Sequence, residues 1–249
     1  MQKLSLPPLL CAVGAAAFLV AGVPGSDEAE AKGRGCTDGM ASILGKFCID
    51  RFEATTVELL GRGKTRPHSA FVAVDNLKVK AVSRRGVKPQ GHLSRNEAES
   101  ACQNAGKRLC SDDEWLLACK GKHPTQYPYG DERPPGRCND MGVSSFNRYY
   151  GSAGSEPPQE LYTFVNMNDP RLNQVKGSLA PTGSFRSCKN GFGVFDMVGN
   201  LHEWTAAKGG TFRGGYYLDT QINGEGCDYR TTAHAPTYHD YSTGFRCCK

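Results

Sequence analysis

Asp196 and Glu203 stand seven positions apart in the run Gly191-Phe192-Gly193-Val194-Phe195-Asp196-Met197-Val198-Gly199-Asn200-Leu201-His202-Glu203-Trp204. Gly199-Asn200 between them is a turn dipeptide, so the run cannot be one helix. It must wrap. Wrapping brings the Asp196 carboxylate, the backbone carbonyls of Gly199 and Leu201, and the Glu203 carboxylate toward one point. Oxygen ligands from side chains and main chain on a single tight loop are what a hard cation such as Ca²⁺ takes. The plainer alternative is that Asp196 caps a turn and Trp204 is core.

A second set of reactive types lies between Arg213 and Tyr241. His234 and His239-Asp240 fall in one loop with Tyr238 and Tyr241. Two imidazoles and a carboxylate are the donor set of a non-haem iron triad; equally, they can be loop side chains bonded to backbone. Arg213, Arg230, His234 and His239 together make a candidate pocket. Cys227 near Arg230 would be a reactive thiol only if an electropositive surrounding lowered its pKa. Neither a G-x-x-x-x-G-K-[ST] phosphate loop nor a G-x-S-x-G elbow occurs.

The elements that would hold these residues are few. Phe47 to Phe52 reads as a short strand. Ser94-x-x-Glu97 and Ser111-x-x-Glu114 are capping-box patterns. The first starts a helix that stops before Gly106, and the second starts one that runs to about Lys120. Residues 58–92 mix Arg, Lys, Gly and Pro without a period and read as loop. Residues 121–190 also lack a period, an unusual length of irregular chain for a compact domain.

The chain has 249 residues and a formal charge of +5, which allows one large domain or two small ones. Short basic clusters such as Arg62-Gly63-Lys64-Thr65-Arg66 and Arg84-Arg85 lack interleaved aromatics. They read as solvated loops, so nucleic acid is not an expected partner. Lys3 precedes an uncharged apolar stretch from Leu4 to Ser26, which reads as a secretory signal cleaved after Gly25 or Ala31. An uncleaved membrane anchor is the alternative, opposed by Pro7-Pro8. The expected layout is a signal over residues 1–25, a polar linker over 26–35, and one domain over 36–249, with no membrane span once the signal is removed. Apart from Cys11 there are ten cysteines. An even number in an exported chain favours disulfides over metal thiolates, and no C-x-x-C spacing suggests a zinc ribbon.

Four blocks resemble the formylglycine-generating enzyme family, also called sulfatase-modifying factors. Asp196 to Trp204 is similar to its D-M-x-G-N-x-x-E-W run. Ala101 to Cys110 with Glu114-Trp115 and Ala118-Cys119 resembles A-G-K-R-L-x-T-E-x-E-W-E-x-A. Tyr127-Pro128-Tyr129-Gly130 resembles Y-P-W-G. Gly209-Gly210-Thr211-Phe212 and Gly244-Phe245-Arg246-Cys247 resemble G-G-S-F and G-F-R-C. The blocks keep the family's order across residues 36–249.

The resemblance implies an irregular α+β fold of low secondary-structure content, related to C-type lectins. It implies structural calcium on Asp196, Gly199, Leu201 and Glu203, with a second site beginning near Cys138-Asn139-Asp140. It implies bridges Cys102–Cys247 and Cys119–Cys227, which gives Cys227 a structural role. Cys36 with Cys48 is a further candidate because they are close in sequence; Cys138 with Cys188 and Cys110 with Cys248 are the pairs then left. Family enzymes oxidise a sulfatase cysteine to formylglycine with O₂ and copper held by two cysteines, a soft-donor site. The matching positions here are Gly214 and Asp219, and neither supplies a thiolate. Some relatives are non-haem iron enzymes. The expectation is therefore a calcium-stabilised domain without formylglycine-generating activity that binds a protein, peptide or glycan. The alternative is a divergent oxidoreductase of the same family, using iron or copper.

Overall fold

The computed structural model describes residues 35–152 and 155–249; the expected signal and all but the last residue of the expected linker lie outside them. The strands are β1 (Met40–Ile43), β2 (Phe47–Asp50), β3 (Ala54–Gly61), β4 (Lys64–Pro67) and β5 (Val79–Ser83). The helices α1 (Arg95–Asn104) and α2 (Asp112–Lys120) bracket β6 (Arg108–Leu109). Short helices α3 (Ser145–Tyr150) and α4 (Phe164–Met167) interrupt the irregular middle of the chain. The remaining strands are β7 (His202–Trp204), β8 (Phe212–Arg213), β9 (Arg230–Thr231), β10 (Thr243–Phe245) and β11 (Cys247–Cys248). This is an α+β fold in which most of residues 121–200 is loop. Among the described residues no helix is long and apolar enough to cross a membrane.

Both capping boxes form. Ser94 Oγ accepts from Glu97 N while the Glu97 carboxylate accepts from Ser94 N, and Ser111 and Glu114 repeat the exchange. Helix α1 then buries Ala98, Ala101 and Cys102 against Leu93, Trp204 and Phe245. Helix α2 buries Trp115, Ala118 and Cys119 in a second core with Ile49, Val194 and Met197.

Residues 58–92, expected to be loop, instead carry much of a three-stranded antiparallel sheet ordered β4-β3-β5. Arg62 and Gly63 both take positive φ, 48° and 73°, and make the hairpin between β3 and β4, the conformation a two-residue turn of matching twist requires. The pattern was hidden because all four residues of β4 are exposed, which leaves no apolar alternation to detect.

The chain end organises the rest. β11 lies between β2 and β6 in the sheet β1-β2-β11-β6. Successive strand residues point to opposite faces. Accordingly Cys247 bridges to Cys102 on α1, in one core, and Cys248 bridges to Cys110 just before α2, in the other. Cys36–Cys48, Cys119–Cys227 and Cys138–Cys188 complete five disulfides. One step upstream, β10 runs parallel to β7 in the sheet β10-β7-β8-β9, pairing Gly244 with Glu203. Arg246 sits at the junction of the two sheets.

Candidate metal site and the two thiolate positions

Arg246 is 1% exposed and makes a two-pronged ion pair with Glu203, Nε to Oε2 at 2.6 Å and NH2 to Oε1 at 2.6 Å. Trp115 Nε1 also donates to Glu203 Oε2, at 2.7 Å. The same guanidinium donates to the carbonyls of Asp50 and Phe195. Around this pair lie two more buried carboxylates. Asp196, at φ 56°, accepts from Gly183 N at 2.6 Å. Glu53 is fully buried and accepts from Asn200 Nδ2 at 2.6 Å and Leu201 N at 3.1 Å.

The Gly199-Asn200 turn sets this geometry. Gly199 has φ 80°, and a Cβ there would lie 2.2 Å from the Asn139 carbonyl, so only glycine fits. Asn200 is locked on all sides: its Oδ1 accepts from Asn139 Nδ2 and Ala180 N, and its backbone N–H donates to Asn139 O. Glu53 was not among the residues expected from the sequence. Its signal was faint, a single acidic residue directly before the run Ala54-Thr55-Thr56-Val57, and only the fold brings it beneath a turn 147 residues away.

Three buried carboxylates face one buried guanidinium, which leaves negative charge uncompensated. Burial pushes the Asp196 carboxyl up to about 7, with Glu203 adding to the effect and the Gly183 N–H and Arg246 opposing it. Glu53 is raised well above the usual range, first by burial and then by Asp196 and Glu203. No trio of His, Cys, Asp or Glu side chains is grouped closely enough for a metal among the described residues. A site of two carboxylates and two carbonyls does not require such a trio. The carbonyls of Gly199 and Leu201 accept no hydrogen bond from the described residues, whereas the intervening Asn200 carbonyl accepts from Tyr217 N. Asp196, Gly199, Leu201 and Glu203 thus supply the oxygen donor types that a hard cation takes, with both Glu203 oxygens also bonded to Arg246 or Trp115.

The copper positions do not fit a thiolate. Gly214 has φ 81°, and a Cβ there would meet the Met197 carbonyl at 2.6 Å and the Trp115 ring at 3.0 Å. The Asp219 carboxylate is used in a turn, accepting from Gln221 N and Ile222 N at 2.9 and 3.1 Å. Cys227 is tied to Cys119 and offers no thiol.

The candidate pocket from Arg213 to Tyr241 divides. Arg213 is buried and forks onto Asp112 at 2.7 Å through both Nε and NH2, with Arg230 opposite it in register and 3.6 Å from the same carboxylate. His234 stacks between Phe212 and Tyr238. His239 bonds instead to Asn168 Oδ1 at 2.8 Å and lies 3.4 Å from Asp75. Asp240 is occupied by Ser242 and by the Tyr238 hydroxyl. The two imidazoles thus serve different neighbours. One buried imidazole nearby was not anticipated: His202 packs against Phe212, Tyr216 and Tyr229, and burial lowers its pKa to about 3.

A fold held by five disulfides, with an acid-lined turn before a G-F-R-C strand, defines a class. Residues 41–249 match the sulfatase-modifying factor enzyme 1-like domain, and the chain belongs to that family. It is 31% identical over 127 residues to the formylglycine-generating enzyme of Mycobacterium tuberculosis, covering 51% of this chain and 36% of that one. It is 28% identical over 170 residues to the inactive C-alpha-formylglycine-generating enzyme 2 of Bos taurus, covering 64% of this chain and 49% of that one. The chain therefore spans about a third to a half of these relatives' lengths. Among solved structures CarF aligns with a TM-score of 0.45 and 17% identity over 82% of this chain and 85% of that one.

Proposed function

We propose that this protein is a non-catalytic member of its family, a calcium-stabilised binding domain exported to a periplasmic or extracellular space. The observation that carries the reading is Gly214. Its backbone is left-handed and its Cα faces Trp115 and the Met197 carbonyl, so the first copper position has no room for a thiolate side chain. The five disulfides fit an oxidising, extracellular or luminal compartment. The inactive bovine and mouse relatives are in keeping with a family fold retained without the namesake chemistry. The ligand class is a protein, peptide or glycan. The oxidoreductase alternative, with iron on His234, His239 and Asp240, draws no support from three side chains that each serve other partners.

The direct test offers a C-x-P-x-R peptide to the purified, disulfide-intact protein with O₂ and Cu(I), and reads the product by mass. No aldehyde forms. Loss of the thiol mass with gain of formylglycine would sink the non-catalytic reading.

Calcium is tested by melting. An ion that binds only the folded turn stabilises by RT ln(1 + [L]/Kd), about 2.7 kcal/mol at a hundredfold excess. For a domain of this size that is a rise of roughly 5–10 °C over the EDTA value. Asp196→Asn keeps a residue tolerant of positive φ and removes the charge, so its calcium-induced rise is largely abolished. Glu97→Ala, in a helix cap, melts lower overall yet keeps the rise. Equal melting temperatures for the wild type in EDTA and in calcium would show that no such ion binds.

A further inference from the structure

A cleft of about 820 Å³ is lined by Lys120, Lys122, His123, Arg137, Arg186 and Lys189, with no Asp or Glu on its walls among the described residues. Its charges are not explained by the fold. Lys120 pairs with Asp228 at 2.8 Å, but Lys122, Arg186 and Lys189 are exposed and have no acidic partner among the described residues. The Cys138–Cys188 bridge clamps the walls together. It sets Arg137, which precedes one cysteine, against Arg186, Ser187 and Lys189, which flank the other. Arg137 is further held by its Nε bond to the Ser187 carbonyl at 3.2 Å and by its seat 4.4 Å over the Tyr129 ring. Like charges covalently held around a concave surface repel one another unless an anion sits between them.

The shape of that anion follows from the rest of the lining. Tyr129 is engaged by Arg137 at 4.4 Å and by Tyr127 at 5.6 Å, which leaves His123 and the half-buried Phe192 as the other rings of the lining, fewer than the succession of platforms on which a nucleic-acid strand stacks. Besides the buried Pro128 and Tyr129, which is already engaged within the protein, the half-buried Phe192 is the one apolar side chain in the lining, which gives a peptide few side-chain anchors. Ser187 and Gly191, both exposed, add a hydroxyl and a backbone amide to the lining.

We propose that this cleft binds an acidic saccharide chain, one that carries sulfate or carboxylate groups at intervals. The inference rests on the binding-domain reading and deepens it by naming a site and a ligand class. It is tested on the full disulfide-bonded protein with fluorescently labelled oligosaccharides, followed by anisotropy at low and physiological salt. A heparin-type hexasaccharide and an oligogalacturonate separate sulfate from carboxylate sources, and a neutral maltohexaose is the control. At least one acidic chain binds and the neutral one does not. Arg186→Glu/Lys189→Glu, and separately Lys122→Glu, weaken binding tenfold or more. Lys46→Glu/Lys64→Glu, an equal charge change on exposed residues outside the cleft, shifts it less than twofold. The proposal fails if neither acidic chain binds, if the cleft and control variants lose affinity equally, or if a polyglutamate peptide of matched charge binds as tightly as the saccharide. The peptide-oxidation assay is independent of these outcomes: formylglycine formation would overturn the non-catalytic reading while leaving the affinities to judge the cleft.

Discussion

Arg246→Met lowers the unfolding free energy of the calcium-free protein by about 3–5 kcal/mol, the usual cost of stranding one half of a buried ion pair. Among the described residues the guanidinium is the one cation that ion-pairs Glu203, and it also donates to the carbonyls of Asp50 and Phe195. Without it, Glu203 keeps only the Trp115 N–H, and Asp196 and Glu53 lose their nearest opposing charge. Arg246→Lys restores a charge but cannot make the paired fork, so it falls between the two. The double variant Arg246→Met/Glu203→Gln is less destabilised than Arg246→Met alone, because a neutral amide costs less to bury than an unpaired carboxylate. Denaturant titration in EDTA measures all four proteins. A loss below 1 kcal/mol for Arg246→Met would mean that the pair is not buried in solution.

Removing the Cys102–Cys247 bridge by paired alanine substitution costs roughly 3 kcal/mol, well short of what its length suggests. The bridge spans 145 positions, and a loop that long closes with a loss of roughly 5 kcal/mol of unfolded-chain entropy. The adjacent Cys110–Cys248 bridge already joins the same two regions. With it in place, the second bridge closes only a small ring through residues 102–110 and 247–248, on the order of ten residues, for which the loop estimate is roughly 3 kcal/mol. The reciprocal pair, Cys110→Ala/Cys248→Ala, loses a similar amount. Losing both costs about 6 kcal/mol, because the chain end is then tied back only through Cys119–Cys227. Unfolding midpoints of the three variants under non-reducing conditions distinguish this from independent bridges, which would give roughly 5 kcal/mol each.

Much of this molecule is written locally. The capping boxes at Ser94 and Ser111 specify both long helices because each is closed by residues three apart, and nothing distant has to arrive. Ten cysteines without a C-x-x-C spacing indicated disulfides, and the four sequence blocks indicated the family, because those depend on residue identity and order alone. Gly214 and Asp219 already told of the missing thiolates. What the sequence could not supply was everything carried by long-range approach. The β3–β4–β5 sheet was invisible because β4 has no buried face to impose a period. Glu53 reached the Gly199-Asn200 turn, and Arg246 reached Glu203, only through strand pairing between distant segments. The basic cleft arose in the same way, since Arg137 and Lys189 become neighbours through the Cys138–Cys188 bridge. Backbone caps and turns are decided within a few residues, whereas the compensation of buried charge depends on which segments the fold brings together. For that reason the sequence by itself determined the helix caps, the family and the absence of cysteine at positions 214 and 219, and only the tertiary structure decided where charge is balanced and where basic side chains gather without an acidic partner.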